Sequence, residues 1–385
     1  MNECINLHFF ASPILNESRL IKEAADSLTR ERFDRVVVLG FWQVGLAEHE
    51  VHASGLEIER CVSSLRRLQA SGRVLRGGIM HIMLKLLFFV QYTAAALRLT
   101  RYLRPRYISV HNPLWLPLGV VAARLVGAGL VYLPHELEAN RAGISKTLRW
   151  LLAWAERVAI PACDAVVVVC EPIAQWYRSA FRRADIRVVR NVPRSSDVVL
   201  RPVTTTFRDR LPISDDHLLF VYQGLIDRAR GCAGLVDALA SSAHHMVFMG
   251  YGDYADAIVD SDQGNVHYWP AVPLDMIVSQ SAGADVGVFV VGGKLELSYA
   301  LSLPNKFFEY LHADLPVIVS DNLTYLSSIV RQYGLGWTIA ADDFATLVAS
   351  LDRAKVSALK DNVRRYAREC LWEIDSVAFD EVYTK

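Results

Sequence analysis

The chain has 385 residues, 52% of them hydrophobic and 21% charged, and 41 Lys and Arg balance 41 Asp and Glu for a formal net charge of zero. That length divides into two domains rather than one, the apolar content excludes a disordered chain, and the balanced charge argues against a general nucleic-acid binder. Six scattered cysteines (Cys4, Cys61, Cys163, Cys170, Cys232, Cys370) form no CxxC pair and no His/Cys cluster at metal-ligand spacing, so reduced, mostly buried thiols of a cytosolic protein are expected.

The amino-terminal MNECINLHFF lacks the basic segment and cleavage site of a signal peptide. Short Val/Ile-rich strands are then expected at Ile5–Phe10, Arg35–Leu39, Tyr107–Val110, Gly129–Leu133, Ala165–Val169 and Arg187–Arg190. Between them, helices are expected at Ser18–Arg30, over 79–103, and at Leu116–Gly127, Ser145–Ile160 and Pro172–Phe181. Connections of crossover length imply a parallel sheet. Asn16 or Ser18 is placed to cap the first helix.

The zero net charge hides an asymmetry. From Arg60 to Arg106 there are ten Lys or Arg and no Asp or Glu. The stretch 79–99 inside it, IMHIMLKLLFFVQYTAAALRL, is a poor spanning helix, because a mid-bilayer Lys85 costs roughly 3 kcal/mol. Apolar bulk flanked by cations suits an anionic membrane surface, each cation contributing about 1 kcal/mol. An ordinary buried helix with solvated arginine flanks is the alternative.

After Asn191, the polar run RSSDVVLRPVTTTFRDRLPISDDH is expected to be the interdomain linker and the entry to a second domain. There the strands are expected near Leu218–Gln223, His245–Met249, Val266–Tyr268, Val286–Phe289 and Val317–Val319. The informative stretch is Leu303 to Asp321, LPNKFFEYLHADLPVIVSD. A helix starts at Pro304-Asn305, whose first-turn amides have no intrahelical partners and can bind an anion such as a diphosphate. Lys306 adds positive charge, and Glu309 can accept two ribose hydroxyls. That pattern reads as a nucleotide-sugar site.

This stretch resembles the donor-site motif of retaining glycosyltransferases of the GT-B fold, family four. The resemblance recurs at YLPHELE (Tyr132 to Glu138), Asn191-Val192-Pro193, YQGLIDRARG (Tyr222 to Gly231) and MGYGD (Met249 to Asp253), in order, from about residue 105 to 340. It implies an α/β fold of two doubly wound Rossmann-like domains facing across a cleft. These are an acceptor domain at 1–195 and a donor domain at 196–365, with a terminal helix at 366–385 packing back toward the first. His135 matches the family histidine that points at the donor sugar. Its neutral form would bond a sugar hydroxyl and its protonated form would stabilise the leaving phosphate, with Glu136 or Glu138 orienting the ring. His111 would line the same cleft. Arg230 matches one of two diphosphate cations. Leu225 stands where the other is expected, so Arg228 is a substitute, and Gly224 and Gly250 let the backbone approach the donor. Leu301 stands where the family has a sugar-contacting acid, leaving Glu296, Ser298, Tyr299 or the loop amides for that role. Leu303, Pro304, Asn305, Lys306 and Glu309 complete the donor side, while Asn16, Ser18 and Arg19 fall in the family's acceptor-facing loop. Arg19 and Lys22 either meet an anionic acceptor or lie on a solvated face.

No Asp-x-Asp follows a strand, so no metal or other cofactor is expected. Diphosphate charge would be met by Arg230, Lys306 and helix-end amides. The function implied is metal-independent, retaining transfer from a nucleoside-diphosphate sugar to a lipid-linked or membrane-surface acceptor. The setting implied is bacterial surface-polysaccharide assembly at the inner face of the cytoplasmic membrane. A sugar-nucleotide 2-epimerase and a non-catalytic GT-B partner subunit share the fold and stand as alternatives.

Overall fold

The computed structural model describes residues 3–384 apart from 11, 16, 64–77, 241 and 262. Among the described residues, fourteen strands form two sheets, one in each of two units: Met1–Val189 with Ser376–Lys385, and Arg190–Asp375.

The first sheet holds β1 (Ile5–Phe9), β2 (Arg35–Phe41), β3 (His49–Val51), β4 (Glu57–Cys61), β5 (Tyr107–Val110), β6 (Gly129–Tyr132), β7 (Ala165–Val168) and β8 (Ile186–Val188). Its order is β3-β4-β2-β1-β5-β6-β7-β8, parallel throughout except for the β3–β4 pair. Both β3 and β4 lie beyond the expected set. They form an edge, where charged residues alternate with apolar ones rather than forming a buried run. Arg60 on β4 corrects part of the basic-stretch reading. Its buried guanidinium donates to the carbonyls of Pro13, Ala47 and Ile14 at 2.8–3.1 Å and pairs with Glu50, so it ties loops together and faces no outer surface. Arg66, Arg67, Arg73 and Arg76 lie outside the described residues.

The expected helix over 79–103 is present as Gly78–Leu103. One stripe packs inward: Tyr92 and Ala96 are fully buried, and the Tyr92 hydroxyl donates to the Leu39 carbonyl at 2.8 Å. The opposite stripe leaves Ile82 59% and Leu86 64% exposed, so the helix is neither wholly core nor wholly free.

The second sheet holds β9 (Leu219–Leu225), β10 (His245–Tyr251), β11 (Val266–Pro270), β12 (Val286–Phe289), β13 (Val317–Ser320) and β14 (Gly336–Ile339), in the order β11-β10-β9-β12-β13-β14 and parallel throughout. Its core joins Phe220, Tyr222, Phe248, Val286, Val288 and Ile318. The expected linker is not bare coil. It contains the short helix Phe207–Arg210, with Phe207 fully buried edge-on against Trp269.

The chain end also departs from expectation. Residues 366–375 belong to the second unit, where the Arg353–Arg368 helix stops and a short Trp372–Asp375 turn of helix follows. The tail from Ser376 lies in the first unit as 3-10 turns, and Tyr383 there packs against Phe33 and Tyr107. In both sheets the strand order reverses, at β1/β5 and at β9/β12. The carboxyl ends of strands at such reversals are where open α/β sheets bind ligands.

Candidate functional site

At the β9/β12 reversal, the Asn305–His312 helix buries Phe307, Phe308, Tyr310 and Leu311. Tyr310 anchors it: a Cβ on Gly287 of β12 would fall 2.5 Å from the Tyr310 ring, so only glycine admits the helix this close. The Tyr310 hydroxyl accepts the Gln223 backbone N–H at 2.9 Å.

Lys306 and Glu309 therefore reach the ends of β9 and β12. The Lys306 side chain is partly exposed, but its ammonium nitrogen is buried, 4.3 Å from the Tyr222 ring and 4.4 Å from the Phe289 ring. It has no hydrogen-bond partner among the described residues. Desolvation, reinforced by the Arg230 charge, pushes it down to about 7. Two ring faces offset only part of the cost of a buried ammonium, so an arriving anion would be strongly favoured. Glu309 accepts from the side-chain amide of Gln223, whose own oxygen accepts from the Ser281 hydroxyl at 3.0 Å. Sequence reasoning missed Gln223. Its only signal was an amide ending the otherwise apolar LFVY of β9.

Arg230 closes the 3-10 turn Arg228–Arg230. Asp227 caps that turn by accepting the Arg230 backbone N–H at 2.7 Å and lies 3.7 Å from its guanidinium. Arg228 is exposed and stacked 4.5 Å from the Tyr254 ring. Gly224 and Gly250 close the ends of β9 and β10 backbone to backbone. A Cβ on Gly250 would lie 1.9 Å from the Gly224 carbonyl oxygen. Ser298 and Leu303 are buried. Burial also raises the Tyr299 hydroxyl, and the Arg230 charge opposes that shift, so Arg230, Tyr299 and Lys306 share one electrostatic neighbourhood. Leu301 caps the short Leu297–Ala300 helix with no acid there, Pro304 caps the next helix, and the Asn305 oxygen accepts from the Asn191 amide at 2.8 Å.

At the β1/β5 reversal stands a chain of three imidazoles. Nδ1 of His8 lies 2.9 Å from Nε2 of His111, and Nδ1 of His111 lies 3.0 Å from Nε2 of His135. Phe10 packs on His111 and His135 at 4.6 and 5.5 Å. Desolvation lowers His8 and His135 to about 3, and the Arg19 guanidinium adds to the effect on His135. In the ligand-free protein, burial thus favours the neutral form of His135. Its orientation comes from His111, while Glu136 and Glu138 are paired with Arg141 at 3.3 and 3.0 Å.

Arg19 and Lys22 are both buried, against the solvated-face reading, and Arg19 donates to the Val189 carbonyl at 2.8 Å. Ser18 is the first helical residue rather than the cap. The cap position falls on Glu17, with no side-chain capping bond. Asn16 lies outside the described residues. Among the described residues, no group of three His, Cys, Asp or Glu is arranged to hold a metal ion.

Residues 18–192 match the family Glycosyltransferase Family 4, and residues 234–371 match the Glucosyltransferase 3-like, C-terminal domain. The chain is similar in structure to HepE of Anabaena in complex with UDP (14% identity, 99% of each chain, TM-score 0.67). It is likewise similar to sucrose-phosphate synthase of Thermosynechococcus elongatus (14% identity, 99% of this chain and 98% of that one, TM-score 0.71). A third such structure is α,α-trehalose 6-phosphate synthase of Burkholderia multivorans (13% identity, 100% and 98%, TM-score 0.65). No curated protein matches the sequence.

Proposed function

We propose that this chain, a glycosyltransferase of the GT-B fold with a family 4 domain over residues 18–192, moves a sugar from a nucleoside-diphosphate sugar to a membrane-associated acceptor, with retention and without a metal. The observation that carries the donor reading is the buried Lys306 ammonium, without a hydrogen-bond partner among the described residues, three residues before a Glu309 held by Gln223. An acceptor for that ammonium and donors for that carboxylate are what a diphosphate and a ribose supply. HepE, which shares the fold, has been captured with UDP, with UDP and glucose, and with UDP-glucose, and this supports the same donor class.

In the reaction proposed, the bond from the anomeric carbon to the diphosphate oxygen breaks while the acceptor oxygen bonds the same face. The acceptor's proton passes to the departing oxygen. Lys306 and Arg230 neutralise the charge that grows on the diphosphate. In the first unit, a neutral imidazole such as His135 is suited to hydrogen-bond a sugar hydroxyl. A thermal-shift series of nucleoside diphosphates tests the donor reading. A rise in melting temperature with at least one is expected, and no response to any would overturn it. Transfer should also survive EDTA, and complete loss restored by Mn²⁺ or Mg²⁺ would refute the metal-free route.

The acceptor reading rests on the surface of the first unit. No Asp or Glu occurs between Glu59 and Glu136. Lys85, Arg98, Arg101 and Arg124 are exposed beside exposed Ile82, Leu86, Val90 and Val121. Trp154, with Phe89, Leu114 and Leu151, lines an apolar cavity of about 420 Å³ between these helices and Lys146–Ala159. Such a face suits the inner, anionic side of a cytoplasmic membrane. Co-sedimentation with acidic-lipid vesicles, released by salt, is expected. Replacing Arg66, Arg67, Arg73 and Arg76 by Gln should remove most of it, and no association would return this face to another role.

A further inference from the structure

We propose that His8 is a positioning residue that decides, through His111, which ring nitrogen of His135 carries the proton. The consequence for transfer rests on the placement of His135 beside the donor sugar; the coupling itself does not.

Each neutral imidazole has one N–H and one lone pair. In a chain of three neutral rings joined by two hydrogen bonds, the choice at one end fixes the other two. The spacings of 2.9 and 3.0 Å are hydrogen-bond distances, and the rings are held by their places on the sheet: His8 lies on β1, His111 directly follows the adjacent β5, and His135 follows β6. Phe10 packs on the last two rings. Burial keeps all three neutral, since desolvation lowers each of them.

The free end of the chain sets its direction. Nε2 of His8 is buried and has no hydrogen-bond partner among the described residues. An orphaned buried N–H is costly and rare, whereas an unused lone pair is tolerated more readily. His8 therefore leaves its lone pair at Nε2 and donates from Nδ1 to His111 Nε2. His111 in turn donates from Nδ1 to His135 Nε2. With its Nε2 accepting, His135 carries its proton on Nδ1 and offers a ligand an N–H, not a basic nitrogen. A group placed so can hold a sugar hydroxyl oxygen but cannot remove a proton from it.

The full chain labelled with ring-¹⁵N histidine tests this by long-range ¹H–¹⁵N correlation at pH 7, with no ligand added. In the wild type, His135 should show a protonated Nδ1 and an accepting Nε2, with a preference of roughly 5- to 150-fold, as a buried orphan donor would impose. His8→Asp and His8→Asn differ little in size but oppose each other in hydrogen bonding. An aspartate accepts only, so His111 must donate toward it and His135 should switch to the Nε2–H tautomer. An asparagine can still donate from its amide and should keep the wild-type pattern. A wild-type His135 protonated at Nε2, or one tautomer common to His8→Asp and His8→Asn, overturns the proposal. Because no donor or acceptor is present, a failure of the glycosyltransfer reading leaves this result unaffected.

Discussion

The Lys306 ammonium makes donor binding depend on pH in a direction the geometry sets. In the free protein it titrates at about 7, because burial and the Arg230 charge both disfavour the cation. A diphosphate brought to the nitrogen supplies the missing acceptor and should return it toward the ordinary lysine value, about 10.4. Binding then takes up a proton: about three-quarters of one at pH 7.5, where only about a quarter of the free protein is charged. From pH 7 to pH 9 the charged fraction falls from about one half to about one hundredth, so affinity should weaken about 50-fold, close to 2.3 kcal/mol. The ligand's own terminal phosphate, with a second pKa of about 6, contributes little over that range. Titration calorimetry of a nucleoside diphosphate in two buffers of different ionisation enthalpy measures the proton directly. Lys306→Arg, charged throughout, should bind with a flat profile. A pH-independent dissociation constant for the wild type, with no buffer-dependent enthalpy, would refute the reasoning.

Glu309→Gln keeps the shape of the side chain and removes its charge. Nucleoside-diphosphate affinity should fall by about 1.5–3 kcal/mol, the usual worth of a hydrogen bond to a charged group, and unchanged affinity by calorimetry would sink the ribose assignment. Gly287→Ala drives a Cβ into the Tyr310 ring at 2.5 Å, so the helix carrying Lys306 and Glu309 must shift. A stability loss of about 1–3 kcal/mol with weakened nucleotide binding is expected, and denaturant unfolding beside a binding titration decides it. Glu23 is buried, accepts from the Tyr383 hydroxyl at 2.9 Å and is raised to about 7, mainly by desolvation. Its folded form thus holds a proton that the unfolded chain has released above about 4.5. That contribution is fully present at low pH and is lost as pH rises through 7. Relative to Glu23→Gln, the wild type should lose about 2.5 kcal/mol between pH 5 and pH 8, and parallel stability profiles for the two would refute the burial.

The buried strands were legible because a parallel strand covered on both faces reads as an unbroken apolar run: YISV for β5, AVVV for β7 and VIVS for β13. The edge strands were not. In β4 the alternation of Glu57, Ile58, Glu59 and Arg60 reads as a solvated segment, yet Arg60 turns inward to three carbonyls. The Asn305–His312 helix, its Lys306 and its Glu309 were also legible, since a proline start and i, i+3 spacing are local properties of the chain.

What touches those residues was not local. Whether Lys306 ended in water or against two rings depended on β9 and β12 becoming neighbours, which their sequence order does not specify. Gln223 meets Glu309 across 86 positions, and His8 meets His111 across 103. Arg19, which periodicity allowed on a solvated face, is buried by the folded first unit. Residue order determined which segments become strands and helices and which side chains share a face, because these follow from the 2.0 and 3.6 periodicities of the backbone. Strand order alone decided which faces meet, and with it the desolvation that lowers Lys306 and the three histidines.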